Sequence, residues 1–165
     1  MSEQRLTAFD EFPRHQTTGT FNSVASDSPN WSDGYYFTLG DRETGTSLFA
    51  GLRLYSNTDV IDGFACVTVD GRQHNVRWSR RLRPEIDDIR VGPLALEILE
   101  PLKRMRLSCD ENPYGISYDL DGHVIKTMET VSESTVILWR FTTTSGRCLG
   151  PGSSYNRVGC GLNPT

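Results

Sequence analysis

The chain has 165 residues, 36% hydrophobic and 23% charged, which supports one folded domain and excludes a disordered polymer. Its formal net charge of −4 excludes the broad basic surface that nucleic-acid binding draws on. No apolar run approaches the ~20 residues of a membrane helix, and the opening MSEQRLTAFDEFPRHQ lacks the apolar stretch of a secretory signal.

Residues 1–32 read as an irregular N-terminal segment, because Pro13, Gly19 and Pro29 break every period. Its aromatics Phe9, Phe12, Phe21 and Trp31 are suited to pin it onto the body that follows. From 33 to 142, short apolar-rich stretches alternate with turn signals. The predicted strands are YYFTL (35–39), SLFAGLRLY (47–55), VIDGFACVTV (60–69), RQHNVRWSR (72–80) and PLALEIL (93–99). They continue with RMRLSC (104–109), GISYDL (115–120), HVIKTM (123–128) and STVILWRFT (134–142). Asp70-Gly71 and Asp121-Gly122 read as two-residue hairpin turns, since both positions of such a turn need φ > 0. RLRPEIDD reads as a connection. Helix formers compete at 94–107, but Pro101 inside a helix would cost about 3 kcal/mol. The spacing predicts an all-β, antiparallel sandwich or barrel. The Gly-, Ser- and Thr-rich tail, 143–165, reads as irregular or disordered.

The hairpin around Asp70-Gly71 fixes a register. Val69 faces Arg72, Val67 faces His74, Ala65 faces Val76 and Gly63 faces Trp78. That face is mostly apolar and is expected to point inward, with the Trp78 indole covering the space over Gly63. The other face carries Asp62, Phe64, Cys66, Asn75 and Arg77, with Asp62 and Arg77 diagonal and within reach of an ion pair. His74 then has two readings: a core histidine bonded to a carbonyl or a tyrosine, or a ligand-binding or proton-relaying group.

Chemical motifs are sparse. The sequence has no G-x-S-x-G elbow, P-loop, complete G-x-G-x-x-G or H-E-x-x-H. His15, His74 and His123 lie too far apart to suggest a metal site, and neither a metal nor a cofactor is expected. A buried carboxyl among Asp59, Asp62, Glu97, Asp119 and Asp121 could serve as a general acid, because desolvation raises its pKa. Turn hydrogen bonds for Asp59 and Asp121, and a solvated or rim position for Glu97, are the simpler readings. Tyr35, Tyr36, Tyr55 and Tyr118 either line a cavity or build the core. RWSRRLR (77–83) reads as a solvated strand end or a phosphate contact. Cys66, Cys109, Cys148 and Cys160 show no close paired spacing and read as reduced thiols of a cytoplasmic protein.

Two long stretches carry a resemblance: GLRLYSNTDVIDGFACVTVDGRQHNVRWSRRLRP and VGPLALEILEPLKRMRLSCDENPYGISYDL. With FDEFP and NWSDGYYF upstream, residues 8–120 resemble the first domain of hydroxyneurosporene-synthase-like proteins, in the carotenoid 1,2-hydratase superfamily. The resemblance implies a lipocalin-like barrel or strongly curved half-barrel, incomplete because the superfamily's second β domain does not follow. It also implies a long apolar ligand of isoprenoid, steroid or lipid type. In the full-length family the chemistry is cofactor-free, acid-assisted hydration, with a carboxylic acid delivering the proton and aromatics shielding the cation. Those groups lie largely in or beside the second domain, so no catalytic residue carries over. His74 and Trp78, with Tyr35 and Tyr118, are the expected ligand-binding residues. The alternatives are a non-catalytic hydrophobic-ligand-binding module, or a truncated domain that pairs with another β domain or a second copy through an exposed edge. The tail resembles the product of a truncated or shifted reading frame.

Overall fold

Side-chain alternation organises the chain into strands whose apolar residues share one side. The computed structural model describes residues 8–13, 26–41, 44–84, 87–131 and 134–143, from 124 onward by backbone alone. After a single 3-10 turn at Ala8–Glu11 come β1 (Asp33–Asp41), β2 (Thr46–Tyr55), β3 (Val60–Val69) and β4 (Arg72–Arg81). Then follow β5 (Arg90–Val91), β6 (Leu94–Glu100), β7 (Arg104–Cys109), β8 (Tyr118–Val131) and β9 (Ser134–Thr143). They form two antiparallel sheets in chain order, β1-β2-β3-β4 and β5-β6-β7-β8-β9. Among the described residues no ladder joins the sheets, so the fold is an incomplete barrel. No helix among these residues is long and apolar enough to cross a membrane.

The inner faces merge into one core. Leu48, Ala50, Leu52 and Leu54 alternate along β2, and Ile61, Ala65 and Val67 continue the pattern on β3. The second sheet contributes Val91, Leu94, Leu96, Met105, Leu107, Tyr118 and Leu120. The sheets approach closely at Gly63. A Cβ there would stand 2.4 Å from Val91 Cγ1 and 3.0 Å from Leu94 Cδ1. Arg80 closes the β4–β5 corner by donating to the carbonyls of Asp88, Arg90 and Arg81, each at 2.7 Å.

The Asp70-Gly71 turn forms as expected, with φ of 50° and 70°, and the β3–β4 register agrees pair for pair. Asp121-Gly122 is not a turn, because β8 runs straight through it. Asp121 is only 7% exposed and its carboxylate is gripped by Arg104 of β7. The pairs Arg106↔Asp121 and Gly122↔Phe141 also hold both residues between two neighbouring strands, and a reversal there would break both ladders. Val131 of β8 instead pairs with Ser134 of β9, and the two positions between them lie outside the described residues. Arg90–Val91 adds a short strand after the expected connection.

Two contacts on the hairpin also differ. Val91 and Leu94 occupy the space over Gly63, while Trp78 lies over Gly92, where a Cβ would sit 2.7 Å from indole Cδ1. Asp62 accepts the Ser79 hydroxyl directly opposite it rather than pairing with Arg77. Most of the N-terminal segment, with Phe21, and the tail from 144 lie outside the described residues.

Gly63→Ala is expected to destabilise the chain by about 1–3 kcal/mol through overpacking. Gly40→Ala meets nothing within 4 Å and is expected to change stability by less than about 0.5 kcal/mol. Urea midpoints would separate the two, and equal shifts would contradict the close approach at Gly63.

Candidate functional site

The outer face of the first sheet carries a row that crosses all four strands: Tyr36, Gly51, Phe64 and Arg77, each opposite the next. Phe49 stands beside it. Tyr36 stacks on Phe49 with ring centroids 5.9 Å apart, and Phe64 meets Phe49 edge-on at 5.0 Å. Tyr36 and Phe64 are 5.9 Å apart. Tyr36 remains 56% exposed and Phe49 42%. Gly51 is the floor of this group. A Cβ there would lie 2.7 Å from Phe64 Cε1, so only glycine lets that ring lie down on the sheet.

A cleft of about 200 Å³ opens here, bordered by Tyr36, Gly51, Phe64 and Trp78. Its charged groups are Arg53, Asp62 and Arg77. The Arg53 guanidinium lies over the Tyr36 ring, 5.5 Å from its centroid, and donates to the Tyr36 hydroxyl at 3.0 Å and to Ser32 Oγ at 3.0 Å. Asp62 accepts from Ser79. Arg77 is exposed and has no hydrogen-bond or ion-pair partner among the described residues.

A second cleft, about 400 Å³, lies on the second sheet among Arg90, Glu97, Arg106, Asp110 and Asp119. Here every guanidinium is matched. Arg106 grips Asp119 with two bonds of 2.7 and 2.6 Å, and Arg90 lies 3.9 Å from Glu97 and 3.5 Å from Asp110. Exposed pairs of this kind contribute ~0–1 kcal/mol each, and with Glu111 also lining the cleft they leave it net acidic, with both guanidiniums already engaged.

The expected ligand-binding residues are dispersed. His74 sits opposite Val67 on the core-facing side near the hairpin turn, partly exposed, and borders neither cleft. Tyr35 packs on the core, parallel to Phe37 at 6.4 Å, and its hydroxyl donates to the Glu11 carbonyl. Tyr118 is 3% exposed, in the second sheet's part of the core and beside the second cleft. Trp78 packs on the core, meets Tyr114 edge-on at 6.0 Å and borders the aromatic cleft. The region between the sheets, where these residues were expected to frame a hollow, is filled by Leu52, Leu54, Ile61, Leu94, Leu107 and Leu120. Phe49 and Phe64 were not singled out from sequence. Their signal was two large apolar residues out of phase with the buried positions of their own strands.

The carboxylates divide by environment. Asp59, in a left-handed conformation with φ 60°, accepts the Arg83 backbone N–H at 2.9 Å and the Arg83 and Arg81 guanidiniums at 3.1 Å. These bonds hold its carboxyl below the usual carboxylate range. Arg104, with His123 Nε2 at 3.2 Å, does the same for Asp121. Glu97 is an exposed pairing residue, and Asp119 is taken by Arg106. Glu11, not anticipated from sequence, is 8% exposed and accepts the Leu102 N–H at 2.9 Å, fastening the N-terminal segment to the β6–β7 turn. Burial pushes its carboxyl up, although the Leu102 bond opposes this.

These shifts have opposite signs in pH-dependent stability. Asp59 and Asp121 contribute stability fully above the ordinary value of 3.8, and it is lost as pH falls through their lower folded-state values. For Glu11 the folded chain holds its proton more tightly, so stability from this group falls as pH rises above 4.5. In urea unfolding between about pH 3 and about pH 7, Asp59→Asn is expected to lose less stability than the parent on acidification. Glu11→Gln is expected to lose less on the rise to neutrality. A reversed trend in either variant would refute the corresponding assignment.

Residues 6–144 match a family of unknown function, DUF8625. No curated protein matches the chain, and no solved structure does. A match over most of the chain, spanning both sheets and the aromatic row, makes this protein a member of the DUF8625 family.

Proposed function

We propose that the chain is a non-catalytic binding module for an apolar small molecule, seated in the aromatic cleft on the outer face of the first sheet. One observation carries this reading. Tyr36, Phe49 and Phe64 gather on a face where alternation ordinarily puts polar groups, and Tyr36, largely exposed, and Phe64 border a concavity. Such surfaces are where apolar ligands bury. A flat ligand covering roughly 100 Å² of this surface would gain about 2.5 kcal/mol before the cost of ordering it.

The ligand class agrees with what the resemblance to the carotenoid 1,2-hydratase superfamily implies, while the chemistry of the described carboxylates favours binding over hydration. Acid-assisted hydration needs a neutral carboxyl at the ligand. Asp59 and Asp121 are held as anions, and Glu11, whose carboxyl burial pushes up, borders neither cleft. The free thiols of Cys66 and Cys109 fit a reducing, cytoplasmic setting. Pairing with another β domain is a second reading. It is favoured by the outer edge of β1, which carries no ladder among the described residues. Concentration-dependent association without ligand would distinguish it.

Titration with the neutral fluorophore N-phenyl-1-naphthylamine tests the site. Phe64→Ala is expected to weaken binding about tenfold, or about 1.4 kcal/mol, without shifting the urea midpoint by a comparable amount. His74→Ala is expected to bind as the parent does. Unchanged affinity in Phe64→Ala, or weakened affinity in His74→Ala, would remove the aromatic cleft as the site.

A further inference from the structure

We infer that this cleft selects flat apolar molecules ending in a carboxylate, and that Arg77 is the residue that receives the acid. The inference rests on the cleft being the ligand site and adds the chemistry it selects. Three charged side chains border the cleft. Two already have partners within the fold. Arg53 is stacked on Tyr36 and donates to its hydroxyl and to Ser32, and Asp62 holds the Ser79 hydroxyl. Arg77 is exposed, with no partner among the described residues. Two guanidiniums against one carboxylate make the cleft locally positive on a chain whose net charge is −4.

Position adds direction. Arg77 is the cross-strand neighbour of Phe64, which places the guanidinium at one end of the aromatic row. A ring system lying on Tyr36 and Phe64 therefore brings a terminal acid to Arg77. The guanidinium fork matches a carboxylate with two parallel N–H···O bonds, which a neutral amide cannot reproduce. The cleft volume of about 200 Å³ also limits what fits. At roughly 20–30 Å³ per heavy atom it holds one or two fused rings, and the rest of a longer molecule would extend beyond it.

Calorimetric titration of the full chain with 2-naphthoate and its neutral isostere 2-naphthamide tests the inference. The parent is expected to bind the acid about tenfold more tightly than the amide. Arg77→Gln is expected to abolish that preference by weakening the acid about tenfold more than the amide, and added salt is expected to shrink it. Phe64→Ala is expected to weaken both ligands. Equal affinities in the parent would overturn the acid selectivity and leave the cleft as an apolar site. A preference that survives in Arg77→Gln but disappears in Arg53→Gln would overturn the assignment to Arg77. If neither compound binds the folded parent, the aromatic cleft itself fails as the site, and the inference falls with it.

Discussion

The close approach at Gly63 sets the geometry on which the other features depend. With no side chain at that position, Val91 and Leu94 reach the backbone of β3, and the two sheets share one core. A core packed this tightly resists both added and deleted volume, because each lost or overlapping contact is felt directly. The inner faces are therefore occupied by structure, and the aromatic cleft opens on an outer one. A small ligand-holding barrel differs in keeping an open interior for its ligand.

Arginine has several roles in this fold. Arg80 reaches backbone carbonyls and ties the end of β4 to β5. Arg81 and Arg83 converge on Asp59, whose left-handed backbone they help to hold. Arg104 and Arg106 clamp Asp121 and Asp119 across the second sheet. The run RWSRRLR is thus a set of staples more than a solvated strand end. Arg77 is the member of that run left without such a task among the described residues, and it is the one opposite Phe64 in the aromatic row.

The β3–β4 hairpin was legible in the sequence because a two-residue turn converts one dipeptide into a complete register. The same dipeptide misled at Asp121-Gly122, where the local signal is identical. The deciding contact comes from Arg104, 17 residues away along the chain. Glu11 was missed for a similar reason, since its partner Leu102 is 91 residues distant. The aromatic cleft required more still. Tyr36, Gly51 and Phe64 become neighbours only once the registers of three strands are known together. Local patterning specifies pairs within a hairpin, while clusters assembled across several ladders emerge only from their joint alignment.

The two described thiols illustrate how faces of one sheet and sites in one core differ chemically. Burial pushes Cys109 up to about 12, so near pH 8 only about one molecule in ten thousand carries its thiolate. Cys66 is partly exposed on the outer face, directly opposite Phe49. Of these two sulfurs, an alkylating reagent meets Cys66 first. A spectroscopic label attached there would stand next to the aromatic rings, while the packed interior stayed unmodified.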